Sequence, residues 1–264
     1  MKVVLFCGGA GTRLRDYSDA VPKPMVKVGH RPVLWHVMRY YAHYGHTEFI
    51  LCLGYKADVI KEYFLNYSEA ASNDFVLTNG GREVRLLNTD IDDWSITFVD
   101  TGMNSNVGER LLAVRELVED GPFLANYADG VTDMHLPTRL DEARVHSDVS
   151  VSFLAVPPPL SVHVTEFEDD GRVRSIQPIS RSGLYINAGY FYLKPDVFDF
   201  IVPGEELVVE PFQRMADKSA LLAYPYHGFF RAMDTFKDKQ AMDDIFESGR
   251  APWEVWKRAD SAEG

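Results

Sequence analysis

The sequence predicts an α/β fold: a doubly wound, mostly parallel mixed sheet joined to a smaller mixed β region. Three observations carry this. Short apolar runs alternate with segments of helical period through the first half of the chain. A glycine-rich turn follows the first apolar run directly. After about residue 148 strand-like runs crowd together with little helix between them.

The elements follow in order. Residues 3–7 (Val-Val-Leu-Phe-Cys) are a first strand. From Pro32, the apolar positions Val33, Leu34, Val37, Met38 and Tyr41 form a helical stripe that Gly45 closes. Residues 49–53 are a second strand, and Val59, Ile60, Tyr63, Phe64 and Tyr67 mark another helix. Strands at 96–99 and 123–127 flank a helix at 111–118. Strands then fall at 149–156, 162–167 and 173–176, the last two joined by the turn Asp169-Asp170-Gly171. A strand at 187–193 and helical stretches near Val197 and Phe212 follow, with a last helix over residues 236–247. Residues 1–257 read as one domain with halves at about 1–148 and 149–257, and the small, charged tail 258–264 is expected to fray.

A chain of 264 residues with 46% hydrophobic content can bury a large core. Its net charge of −12 and lack of any Lys/Arg run argue against nucleic acid or a membrane surface as partner, since both are polyanionic. Any bound phosphate must therefore meet local positive charge. The first residues show neither a signal pattern nor a span long enough for a bilayer, and a cytoplasmic protein is expected. Cys7 and Cys52 lie in apolar runs and read as small hydrophobes. His36, His43 and His46 lie on or beside a helical stripe without a His/Cys cluster, so no catalysis is assigned to them.

Gly8-Gly9-Ala10-Gly11-Thr12-Arg13 follows the first strand. Glycines let backbone N–H groups approach phosphate oxygens, and Arg13 adds a charge-assisted contact. The same glycines also suit a tight strand-to-helix turn with no ligand. The loop lacks the Gly-Lys-Ser/Thr of a P-loop, and Leu14 stands where a dinucleotide fingerprint needs glycine. In Val21-Pro22-Lys23-Pro24-Met25 two prolines restrain a lysine, which suits a triphosphate or, taken alone, an ordinary turn with a solvated lysine. Asp129 stands where an apolar strand ends, the ligand-binding edge of an open α/β sheet. Asp234 repeats the device before the last long helix. Two such carboxylates suffice for Mg²⁺ when phosphate oxygens and water complete the octahedron. Taken alone, Asp234 fits a helix N-cap equally well, and Asp129 fits a cap on the turn before Asp133.

These residues resemble the sugar nucleotidyltransferase family, and within it the glucose-1-phosphate cytidylyltransferases more than the thymidylyl or adenylyl branches. The resemblance covers nearly the whole chain. Besides the glycine loop, its markers are Pro22-Lys23-Pro24-Met25, Leu34-Trp35-His36, Gly54-Tyr55-Lys56, Val99-Asp100-Thr101-Gly102, Tyr127-Ala128-Asp129-Gly130, Ile186-Asn187-Ala188-Gly189, Met233-Asp234-Thr235 and Ala251-Pro252-Trp253. It implies a Rossmann-like nucleotidyltransferase fold whose first half binds nucleotide and whose second half binds the sugar. It implies that Gly8, Gly9, Gly11, Thr12, Arg13, Lys23, Thr101, Gly102, Gly108, Arg110 and Asp129 surround the nucleotide, with Arg13 and Lys23 as the catalytic cations and Asp129 and Asp234 holding Mg²⁺. Tyr127 and Asn187, with Gln177 and Arg181, are expected at the sugar phosphate.

The implied reaction joins a nucleoside triphosphate, CTP first, to a sugar 1-phosphate, glucose 1-phosphate first, with release of pyrophosphate. The family habit also implies a homo-oligomer, for which the aromatic stretch from Trp253 to Trp256 offers a contact surface. One departure stands out. Where the family shows Glu-Lys-Pro, this chain reads Gln177-Pro178-Ile179-Ser180-Arg181, so the lysine expected at the sugar phosphate is missing; Arg181 or Arg174 would have to replace its charge. Two other readings stay open: the same reaction with another nucleotide and an unusual sugar or cyclitol phosphate, or a catalytically impaired nucleotide-binding homologue.

Overall fold

The computed structural model describes residues 1–9 and 21–259. Its strands are β1 (Val3–Phe6), β2 (Lys27–Val28), β3 (Arg31–Pro32), β4 (Glu48–Leu53), β5 (Phe75–Thr78), β6 (Glu83–Leu86), β7 (Ser95–Asp100), β8 (Phe123–Asn126), β9 (Gly130–Thr132), β10 (Val151–Val156), β11 (His163–Phe167), β12 (Val173–Pro178), β13 (Ile186–Leu193), β14 (Leu221–Pro225) and β15 (Phe230–Ala232). Its helices are α1 (Val33–His43), α2 (Ala57–Leu65), α3 (Glu69–Ser72), α4 (Val107–Ala113), α5 (Arg115–Val118), α6 (Leu136–Val145), α7 (Glu210–Asp217), α8 (Phe236–Glu247) and α9 (Trp256–Ala259).

Seven strands form one sheet in the order β14-β10-β13-β8-β1-β4-β7. Only β13 runs against its neighbours; the other pairings in this sheet are parallel. The sheet is buried on both faces. Val3, Leu5 and Cys7 pack on one side with α1, while Val4 and Phe6 pack on the other with Leu111, Phe212 and Met215. Two covered faces make a continuous apolar strand rather than an alternating one, which is how β1 and β4 read in the sequence. The doubly wound, mostly parallel mixed sheet is the expected class. Both cysteines are buried and free.

The chain runs from β1 outward to β4 and β7, then returns to place β8 on the other side of β1. This reversal opens a crevice beyond the carboxyl ends of β1 and β8. The loops leaving those two strands carry Gly8-Gly9 and Tyr127-Ala128-Asp129.

Local signals explain the helix limits. In α1, Pro32 is the N-cap rather than the first helical residue, because it also pairs with Lys27 in the β2–β3 ribbon. At the other end Gly45 N–H donates to the Ala42 carbonyl and His46 N–H to that of Tyr41, a Schellman closure. The helix expected at 111–118 begins earlier, at Val107, and breaks at Val114. Its start is fixed by an Asn106–Glu109 capping box instead of an apolar stripe.

The β5–β6 and β9–β15 pairs and α6 are additional to the elements expected from the sequence. The aromatic stretch from Trp253 onward is not an open contact surface. Trp253 is buried, and its indole N–H donates to His36 Nδ1 at 3.3 Å. His36 Nε2–H in turn donates to the Val28 carbonyl at 3.1 Å, among the rings of Trp35, Phe246, Trp253 and Trp256. The C-terminal segment is thereby sealed onto α1. The backbone of residues 258 and 259 still belongs to α9.

Burial holds the His36 imidazole down from 6.5 to about 4. The unfolded chain therefore takes up a proton before the folded one does: stability is fully present above about pH 6.5 and is lost as pH falls toward 4, by about 3 kcal/mol at the limit. Urea denaturation between pH 7 and pH 4 should show this loss in the wild type and a shallower dependence in His36→Phe. Equal slopes in the two proteins would show that the ring is not held neutral.

Candidate active site

Where β8 ends, the Asn126 side chain accepts a hydrogen bond from Ala128 N–H at 2.7 Å, holding Ala128 at φ 64°. That left-handed conformation costs a non-glycine residue about 1 kcal/mol, which the Asn126 bond offsets. The bend turns Asp129 off the sheet edge. The β9–β15 pair then brings in a distant segment: Ala232 lies opposite Gly130, and Met233 N–H donates to the Asp129 carbonyl at 2.9 Å. Asp133 secures the far side of this pair by accepting from Tyr226 OH at 2.6 Å and Phe229 N–H at 2.7 Å. Asp234 is thus set beside Asp129. It is not a helix cap, since Thr235 caps α8 through a capping box with Asp238.

Lys23 completes the group. It opens a short 3₁₀ turn, Lys23–Met25, behind Pro22. Its Nζ donates to Asp129 Oδ2 at 2.5 Å and Asp234 Oδ1 at 2.7 Å. Burial alone would push the ammonium down, yet the charges and hydrogen bonds of the two aspartates outweigh it and hold Lys23 above its ordinary value. Burial pushes the Asp129 carboxyl up; Lys23 opposes this, and the nearby Asp234 charge adds to it.

Two carboxylate oxygens that meet one ammonium can also meet one small divalent cation. Among the described residues no group of three or more His, Cys, Asp or Glu side chains is placed to hold a metal. A two-carboxylate set is what Mg²⁺ uses when substrate phosphates and water supply its remaining ligands. The donors present therefore fit that ion.

A cavity of about 360 Å³ lies over this cluster, lined on one side by Lys23, Pro24, Asp129 and Asp234 and on another by Phe6, Gly9, Arg110 and Tyr127. Arg110 forms its floor. Its guanidinium donates to the carbonyls of Leu53, Gly102 and Gly8 and to Thr101 Oγ1, at 2.7 to 3.2 Å. A Cβ on Gly8 would stand 2.0 Å from Arg110 Nη1, so a side chain there would have to displace the guanidinium from its place in the floor. Thr101 and Gly102 belong to this floor and do not border the cavity. Gly108, in the first turn of α4, packs against the backbone of Glu205 and Leu207.

Tyr127 accepts from Asn187 Nδ2 at 3.2 Å and so joins the cavity wall to β13. Gln177 lies in the β11–β12 hairpin and Arg181 in the exposed turn after it, and neither lines the cavity. Arg174 is paired with Glu168 on the open face of that hairpin. Gly11, Thr12 and Arg13 lie outside the described residues. Ser105, Asn106, Val107 and Glu206 line the cavity without having been singled out from the sequence. The Asn106 cap could have marked that wall; nothing in the local pattern marks Glu206.

A doubly wound sheet with a crevice at its strand reversal, one lysine and two convergent carboxylates defines a protein built to handle phosphorylated, nucleotide-like ligands. The chain belongs to the Nucleotidyl transferase family, whose sequence profile matches residues 2–220. It is 38% identical over 260 residues to the glucose-1-phosphate cytidylyltransferases of Salmonella typhi and Salmonella typhimurium, covering 97% of this chain and 100% of each relative. Among solved structures, UDP-glucose pyrophosphorylase complexed with UDP-glucose shares the fold with a TM-score of 0.68 at 15% identity, over 94% of this chain and 99% of that one.

The floor gives a direct test. Arg110→Met removes the charge-assisted hydrogen bonds that tie the Gly8, Leu53 and Gly102 carbonyls and Thr101 Oγ1 to one buried guanidinium and should cost about 3 kcal/mol in urea denaturation. A loss below about 1 kcal/mol would mean that the guanidinium does not hold the loops together.

Proposed function

We propose that this protein transfers the cytidylyl group of CTP to glucose 1-phosphate, giving CDP-glucose and pyrophosphate. The observation that carries the reading is the convergence of Lys23, Asp129 and Asp234 at the strand reversal. Full-length likeness to glucose-1-phosphate cytidylyltransferases supports the choice of both substrates.

The attacking oxygen belongs to an anionic phosphate near neutral pH, so the reaction needs alignment and charge neutralisation more than a base. Asp129 and Asp234 would hold Mg²⁺, which when bound neutralises charge on the phosphate oxygens. Lys23 places a second cation at the same point, for the transferring phosphate. Gly9 presents backbone at the cavity wall, and Arg13 is the proposed partner of the triphosphate. Tyr127, held from behind by Asn187, forms the wall proposed for the acceptor. The hairpin with Gln177 and Arg181 supplies no cation to the cavity, so Lys23 and Arg13 carry the acceptor phosphate as well.

We further propose that the protein works in the cytoplasm and as a homo-oligomer. The exposed side chains of Phe75, Leu77 and Val84 on one hairpin and Phe167, Val173 and Ile176 on another support self-association. No helix among the described residues is long and apolar enough to cross a membrane.

A pyrophosphate-release assay with each nucleoside triphosphate against a panel of sugar and cyclitol 1-phosphates should give the highest kcat/KM for CTP with glucose 1-phosphate, and only with Mg²⁺ present. A different preferred pair would transfer the reaction to other substrates, and no turnover across the panel would sink the enzyme reading. Asp129→Asn should lower turnover at least about a hundredfold while circular dichroism stays native. Near-native activity would remove Asp129 from the metal site.

A further inference from the structure

Glu206 stands on the cavity wall between α4 and the segment leading into α7, apart from the Lys23–Asp129–Asp234 cluster. Its Oε2 accepts from Val107 N–H, at a long 3.5 Å. Its Oε1 is buried and has no hydrogen-bond partner among the described residues. The backbone on either side is fixed: a Cβ on Gly108 would stand 2.5 Å from the Glu205 carbonyl oxygen and 3.4 Å from Leu207 N, so the two segments are in direct contact. Tyr127 lines the same cavity, and after burial the charge of Glu206 is the largest influence pushing its phenol up. A carboxylate is therefore held at the cavity with one oxygen unspent.

A buried carboxylate oxygen without a partner is costly and is satisfied by a cation or by a group that brings a hydrogen, and no cation among the described residues reaches it. Phosphate oxygens are excluded, because they bring none and carry the same charge. Among the described residues, the open space that Glu206 borders is the cavity.

We infer that Glu206 is a specificity residue that accepts a hydrogen bond from a hydroxyl or amino group of a bound substrate. The inference rests on the cytidylyl-transfer reading. In that setting two sources carry the required chemistry: the exocyclic amine of cytosine, and a hydroxyl of the ribose or of the acceptor sugar. Both are neutral donors, and both lie away from the phosphates that the Lys23–Asp129–Asp234 cluster attracts. The carboxylate thereby orients the substrates as well as choosing them, drawing a donor-bearing part toward itself and turning phosphate away.

The test compares wild type and Glu206→Gln on paired substrates that differ by one donor: CTP against UTP, CTP against its 2′- and 3′-deoxy forms, and glucose 1-phosphate against its 2-, 3-, 4- and 6-deoxy analogues. In the wild type, removing the donor that meets Glu206 should lower kcat/KM about ten- to a hundredfold. Glu206→Gln should lose a similar factor with the intact substrate, and should show little further loss with the analogue that lacks that donor. The pair on which discrimination flattens identifies the source. A uniform drop on every substrate, with all ratios unchanged, would show that Glu206 only supports α4 and would overturn the inference.

Glu206→Asp, which keeps the charge and shortens its reach, gives the same comparison if the glutamine variant folds poorly. Binding calorimetry with the same compounds separates the two ideas. Absence of turnover in the wild type counts against the proposed reaction, whereas unchanged binding ratios in the variants count against Glu206.

Discussion

Two carboxylates that share one ammonium hold this structure to its purpose. Asp129 and Asp234 are 105 positions apart in sequence, and both reach Lys23 in a crevice that is only partly wet, with side-chain exposures of 19%, 47% and 17%. Like charges at such spacing repel, and burial magnifies the repulsion. Lys23 makes the arrangement tolerable. An ammonium held by two carboxylates is also a description of what the same carboxylates would do with a divalent ion, so the resting cluster is already shaped for exchange of one cation for another.

The rest of the fold serves that cluster. Reversal of strand order between β1 and β8 opens the crevice, the Asn126-supported bend at Ala128 aims Asp129 into it, and the β9–β15 pair carries Asp234 alongside. Arg110 spends its guanidinium on loop carbonyls and keeps the loops after β1, β4 and β7 in register beneath the cavity. Its charge is engaged in the floor. It positions the backbone of the floor, unlike Lys23, whose ammonium faces the cavity.

Much of this was legible in the sequence because it depends on local rules. The buried strands 3–7 and 49–53 read as unbroken apolar runs, α1 as a stripe ended by Gly45, and α8 as a stripe over residues 236–247. Asp129 was marked by standing where a strand stops. What escaped depends on partners far away. The β9 and β15 strands are three residues each and exist because they pair with one another, and α6 has too weak an apolar stripe to announce itself. The aromatic residues from Trp253 onward looked available for contact; their burial is set by His36, more than 200 positions earlier. Glu206 carries no local signal because its meaning lies in an unfilled hydrogen bond, which only the fold reveals.

Lys23 and a divalent cation should compete for Asp129 and Asp234. Titration of Mn²⁺ followed by electron paramagnetic resonance, with and without CTP, tests this without requiring turnover. The wild type alone should bind weakly and CTP should strengthen the binding. Lys23→Met, with its carboxylates unpaired, should bind Mn²⁺ without nucleotide about tenfold more tightly than the wild type, one such step being about 1.4 kcal/mol. Equal Mn²⁺ affinity in Lys23→Met and wild type would contradict the account.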